Sequence, residues 1–190
     1  MQIRHKNREI YFREQTECTQ KYVIPYIEQV LCIKPNLRVL EIGCGEGGNL
    51  KPFLDLGCYC VGIDIDVAQV KKAKEFFANH SLNKNLRLIA NDIYKVSPNE
   101  IGNFDLIILR DVIEHLPNQE LFMHQLKCFM HSESVVFFGF PVWCNPFGGH
   151  QQICRSKWLS HTPWLHLLPK RLYKKVLQLG GESTSTIKAL

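Results

Sequence analysis

The densest chemistry in this chain lies in Glu41-Ile-Gly-Cys-Gly-Glu-Gly-Gly48. Glycines at that density let a backbone turn sharply and approach a ligand where a Cβ would intrude, and a helix opening there favours a negative group. Taken as G-x-G-x-x-G (Gly43, Gly45, Gly48), the segment has the dinucleotide-binding form. Asp64 lies 64 − 43 = 21 residues on, where a ribose-binding acid is expected. Alone, this pair implies an adenosine-containing ligand. Glu41 narrows the choice, because an acid directly before the glycines would welcome a cationic group and repel a pyrophosphate. Asn91-Asp92-Ile93 offers another carboxylate, and Asp111-Val-Ile-Glu-His115 sets two acids beside an imidazole able to take up a proton.

Such residues act together only if their segments end at one edge. Apolar runs at 37–42, 58–63, 86–90, 104–109 and 134–140 predict five strands, the fourth with the near-continuous apolar content of a strand buried on both faces. Between them, helices are expected over 9–31 (ended or kinked at Pro25), from 49, over 67–79 with Asp66 as N-cap, over 111–116 and over 118–130. Strand and helix in alternation predict an α/β fold: a Rossmann-like, doubly wound, mainly parallel sheet with helices on both faces. Three regions follow. Residues 1–36 form a helical lead-in whose Tyr11–Gln15 stretch could lie over the ligand as a lid. Residues 37–140 form the binding core. Residues 141–190, rich in Trp, His and Pro, hold a helix near 165–179, no pair of strands and a loose final ten residues.

Length and composition exclude several classes. At 190 residues, with 45% apolar and 22% charged content, the chain is an ordinary globule rather than a disordered segment. No apolar run approaches the roughly 18–20 residues of a spanning helix. The charged start leads into no apolar stretch, so no secretory leader is expected and the protein is read as cytoplasmic. The eight cysteines, with no C-x-x-C among them, are then thiols rather than bridges or zinc ligands. The net charge of +5 is uneven. From Asn145 onward seven Lys and Arg face a single acid, Glu182. That excess is either a solvated helix face or a surface for an anionic partner.

Taken jointly, these segments resemble the class I S-adenosylmethionine-dependent methyltransferases. Residues 39–47 match that family's first motif, Gly62-Ile-Asp64-Ile65 the second, Asn91-Asp-Ile93 the adenine-side motif and 104–116 the segment after it. The resemblance implies S-adenosylmethionine as cofactor and S-adenosylhomocysteine as product. It implies that Glu41, Gly43, Cys44 and Gly45 surround the methionyl moiety and that Asp64 accepts from both ribose hydroxyls. Asp92 would accept from the adenine amino group, with Ile65 and Ile93 covering the ring faces and Arg110 under the methionyl part. The family usually completes its sheet with a C-terminal antiparallel hairpin. Here that hairpin is expected to be missing, as in a chain shortened at its C-terminus.

The methyl acceptor is expected to be a small molecule, with oxygen favoured over nitrogen. An oxygen acceptor must lose a proton, and His115 and His150 are the catalytic candidates for taking it. An alternative makes Asp111, Glu114, His115 and His150 ligands of a divalent cation, similar to the metal-dependent quinone-biosynthesis and small-RNA ribose methyltransferases. The leading reading holds no metal, no nucleic-acid partner and no transmembrane segment, with peripheral membrane contact as a subsidiary idea. The rivals are an RNA methyltransferase served by the basic tail, an NAD-dependent oxidoreductase and a noncatalytic adenosyl-ligand binder.

Overall fold

The computed structural model describes residues 7–149 and 151–189. The chain divides after Phe140 into two compact units, residues 2–140 and 141–190.

The first unit opens with helix α1 (Arg8–Cys18), whose N-cap Asn7 accepts from the amides of Glu9 and Ile10. One π-helical stretch (Thr19–Val23) joins it to α2 (Ile24–Ile27). Pro25 does not end the helical run, which passes through the π-helical stretch directly into α2. Strand β1 (Arg38–Ile42), α3 (Lys51–Asp55), β2 (Tyr59–Asp64), α4 (Val67–Phe77), β3 (Leu86–Ala90), α5 (Pro98–Ile101), β4 (Phe104–Arg110), α6 (Gln119–Cys128) and β5 (Met130–Gly139) follow.

The five strands pair in parallel in the order β3-β2-β1-β4-β5. This is the expected doubly wound, Rossmann-like sheet, and no antiparallel pair occurs among the described residues. The order reverses between β1 and β4, which opens a crevice beyond the strands' carboxyl ends. Alternate residues of β1 serve opposite faces, as the two-residue period requires. Val39 packs with Phe53, Leu54, Phe77 and the π–α2 residues Val23, Ile24 and Ile27. Leu40 and Ile42 pack with Phe122, Leu126 and Phe129. Register places Ile42 beside Ile63 on one side and Leu109 on the other, so β1, β2 and β4 end together.

In the second unit, α7 (Lys157–His161), α8 (Lys170–Leu179) and α9 (Thr184–Ala189) enclose a core of Cys154, Leu159, Leu165, Tyr173 and Leu177. The helix expected over 165–179 is split: a single 3-10 turn (Leu165–Leu167) stops before Pro169, which becomes the N-cap position of α8. Residues 183–189 are not a loose end either. Ser183 accepts from the Thr186 amide and starts α9. No helix among the described residues is long and apolar enough to cross a membrane.

Candidate functional site

The carboxyl ends of β1, β2 and β4 and the loop after β3 surround a cavity of about 430 Å³. Its floor is the glycine turn. The chain leaves β1 with positive φ at Gly43 (73°), Gly45 (51°) and Gly47 (80°), a conformation that costs an L-residue roughly 1–2 kcal/mol. Gly43 also needs its missing side chain for space, since a Cβ there would lie 2.2 Å from Val112 Cγ2. The amides of Gly43 and Cys44 donate to the Ile63 carbonyl, binding the turn to the end of β2.

Asp64 terminates β2 and holds this turn. Its Oδ2 accepts from the Gly45 amide at 2.7 Å and its Oδ1 from the Asp66 amide at 2.8 Å. A carboxylate offers about four acceptor sites, so capacity remains for hydroxyl donors from a ligand. Asp66 caps α4 as expected, accepting from the Ala68 and Gln69 amides. Beyond β3, Asp92 accepts from the Tyr94 amide at 3.1 Å and Ile93 is buried. The exposed Ile65 lies at the mouth. Gly43, Gly45, Asp64, Ile65, Asp92, Ile93, Arg110 and His115 all line this same cavity.

Glu41 and Cys44 do not reach it. Cys44 turns into the core against Gly62, and burial pushes its thiol well above the usual range, which leaves it no nucleophile. Glu41 lies behind the cavity wall, 1% exposed. Its Oε1 accepts from Asn49 Nδ2 at 2.8 Å, and Asn49 Oδ1 accepts in turn from Thr19 Oγ1 (2.9 Å) and Arg110 Nη1 (3.0 Å). Burial raises the Glu41 carboxyl to about 8, opposed by the Asn49 hydrogen bond and the Arg110 charge.

Stability should depend on pH through this carboxyl. In the unfolded chain Glu41 titrates near 4.5, so between 4.5 and about 8 the folded state holds the extra proton. Its stabilising contribution is complete below pH 4.5 and is lost as pH rises through 8. Glu41→Gln should therefore flatten the decline in melting temperature from pH 5 to 9. The gain at the alkaline end should be a few kcal/mol, since each tenfold difference in proton affinity between folded and unfolded states is worth about 1.4 kcal/mol. Thermal melts of the two proteins check this; parallel curves would contradict it.

The lead-in helix closes the cavity's glycine end. Tyr11 and Gln15 on α1 line it, and Phe12 stacks on Phe76 and Phe77 of α4 at 4.6 and 5.7 Å between ring centres. Arg8 pairs with the buried Glu46 of the glycine turn. Two buried oxygens of cavity-lining residues have no donor: Gln15 Oε1 and Glu46 Oε2. Leaving such an acceptor unpaired costs roughly 1–3 kcal/mol. Both would welcome an ammonium or sulfonium, and neither would welcome a phosphate. The residues therefore fit a nucleoside joined to a cationic amino-acid tail better than a dinucleotide.

The helix expected over 111–116 is not there. Asp111 adopts a left-handed backbone (φ 56°), and only Ile113–His115 form a single 3-10 turn. The i, i+3, i+4 phase that would have put Asp111, Glu114 and His115 on one face is thereby lost. Asp111 and His115 line the cavity, whereas Glu114 does not, and both Glu114 oxygens are buried without a partner. Among the described residues no group of three potential metal ligands forms, and Glu114 does not share the cavity with Asp111 and His115. His150 lies outside the described residues.

Sequence reasoning missed Asn49, Glu46, Gln69 and Tyr94, all of which line the cavity. Gln69 had a signal, the capping-box spacing of Asp66-Val-Ala-Gln69, although the reciprocal bond is not made: the Asp66 amide donates to Asp64 Oδ1, and Gln69 Nε2 donates to Asp66 Oδ2 at 3.2 Å. Tyr94 had none. Its hydroxyl donates across the cavity to the Pro117 and Asn118 carbonyls, a contact made only by the tertiary fold.

Comparison with known proteins agrees with this geometry. Residues 12–173 match the family model described as a methyltransferase domain. The ubiquinone biosynthesis O-methyltransferase of Bartonella tribocorum is 26% identical over 125 residues, covering 60% of this chain and 49% of that protein. The sterol 4-C-methyltransferase of Caenorhabditis elegans is 28% identical over 102 residues, covering 54% and 30%. The chain thus spans about half the length of the first of these relatives, and less of the second. Among solved structures, coclaurine N-methyltransferase with bound S-adenosylhomocysteine superposes with a TM-score of 0.54 at 19% identity, over 63% of this chain and 35% of that one. The plantazolicin methyltransferase, also with S-adenosylhomocysteine, gives 0.53 at 23% identity, over 70% and 48%. These likenesses carry the fold, and the family model carries the family: the chain is a methyltransferase domain of the class I, S-adenosylmethionine-dependent kind.

Proposed function

We propose that the protein binds S-adenosylmethionine in this cavity and transfers its methyl group to the hydroxyl of a small molecule. The observation that carries the reading is the pair of unpaired buried oxygens, Gln15 Oε1 and Glu46 Oε2, beside a glycine turn held by Asp64. The cofactor, when bound, supplies an activated methyl on a positively charged sulfur.

The chain's own residues do the rest. Gly43 and Gly45 let the backbone come close to the methionyl tail, and Gln15 and Glu46 offer acceptor oxygens to its ammonium. Asp64 takes the ribose hydroxyls, Asp92 the adenine amino group, and Ile65 and Ile93 the ring faces. Arg110, held by Asn49, lies at the methionyl end. Methyl transfer is an in-line displacement, so alignment and exclusion of water dominate, worth up to ~7–11 kcal/mol when the reacting atoms are held in line. His115, which lines the cavity after β4, accepts the acceptor's proton in this reading as the oxygen–methyl bond forms and the carbon–sulfur bond breaks.

Preference for oxygen rests on that imidazole, since an amine acceptor is already nucleophilic once neutral. The relatives carry O-, C- and N-methyltransferase names, so acceptor chemistry is the point to test. Methyl-labelled cofactor offered with matched panels of phenols and amines should label phenols. Labelling of amines alone would overturn the oxygen assignment and leave the cofactor assignment standing.

A further inference from the structure

We infer that residues 141–190 carry a surface that docks on an anionic membrane, independent of the methyl-transfer reading. The observation is the distribution of charge and apolar groups around α8. Tyr173, Val176 and Leu177 turn inward onto Cys154, Leu159 and Leu165. On the outer side, Arg171 and Lys175 are four residues apart, Leu172 and Lys175 three, and Leu172 and Leu179 seven, so all four share one continuous face. Leu172 is 48% and Leu179 89% exposed, and both basic residues are exposed as well.

The charge around α8 is of one sign. Here the only acid from Asn145 onward is Glu182, which is buried and accepts from the Ser156 amide. No ion pair forms within 141–190 among the described residues. Among the described residues the cations of α8 therefore have no acid partner within their own unit. Leu159 of α7 packs onto the end of α8, since a Cβ on Gly180 would lie 2.3 Å from its Cδ1. Lys157 and Trp158, which precede Leu159 on α7, are exposed.

The mixture of groups selects the partner. Nucleic acid would use the cations but gain nothing from two exposed leucines, whereas a lipid headgroup layer uses both, with cations on the phosphates and apolar groups at the acyl boundary. Tryptophan is also favoured at that depth.

Sedimentation of the full chain with phosphatidylcholine vesicles, with and without phosphatidylglycerol, tests this. Binding should require the anionic lipid and fall as salt rises. Each basic residue neutralised should weaken it about fivefold, so Arg171→Gln with Lys175→Gln should cost about 25-fold. Leu172→Ser with Leu179→Ser should weaken it separately. These side chains are exposed, and unchanged circular dichroism confirms the fold. Absent vesicle binding, equal binding to neutral vesicles, or binding only to RNA with no effect of the leucine changes would each overturn the proposal.

Discussion

Asp64→Asn should weaken binding of S-adenosylhomocysteine by about 10²- to 10⁴-fold, the largest loss of cofactor affinity expected from one substitution. Two hydrogen bonds to an ionised acceptor, each worth ~1.5–3 kcal/mol, set that range. An asparagine keeps the shape and loses the charge. It must also turn one donor toward a site where the Gly45 amide already donates, so the glycine turn loses its anchor along with the ribose contact. Calorimetric titration measures the effect. Near-normal affinity in Asp64→Asn would mean that the carboxylate serves only the turn.

His115→Ala should lower kcat by about 10²- to 10⁴-fold on a hydroxyl acceptor while leaving cofactor affinity unchanged, the range for a positioned general base. The separation of the two readouts matters, because a residue that merely shaped the rim would disturb KM as well. His115→Gln should be as slow as the alanine variant, since it restores bulk without a base. Exogenous imidazole should recover part of the rate in the alanine variant. An unchanged kcat would move proton removal to another residue or to the acceptor itself.

Much of the cofactor side was legible because its demands are local. Positive φ in succession requires glycine, and an acid closing an apolar strand must face the crevice of a parallel sheet; Gly43, Gly45 and Asp64 satisfy those conditions whatever the rest of the chain does. The acceptor side was less legible because its geometry is set by contacts between distant residues. Residues 111–116 carry a helical apolar pattern, yet the Asp111 amide is drawn to the Gly139 carbonyl of β5, and the left-handed turn this imposes breaks the helix before it starts. Glu41 has the place of a cavity residue in the motif. The strand's alternation sends it inward instead, where Asn49, invisible as a partner in the sequence, holds it. β5 begins four residues earlier than the apolar run suggests, through His131-Ser-Glu133. Those residues are exposed and lie within the register shift between the Phe104–Met130 and Leu106–Val135 pairs, where side chains hold the segment: Ser134 Oγ donates to the Phe104 carbonyl and His131 Nε2 meets Asp105 Oδ1.

The central claim is that acids at successive strand ends hold a nucleoside with a cationic amino-acid tail, and titration of the purified protein with S-adenosylhomocysteine and, separately, with NAD tests it most directly. The account predicts saturable binding of the first at one site per chain and no uptake of the second. Heat from NAD alone, or silence from S-adenosylhomocysteine in a protein shown to be folded, would contradict it.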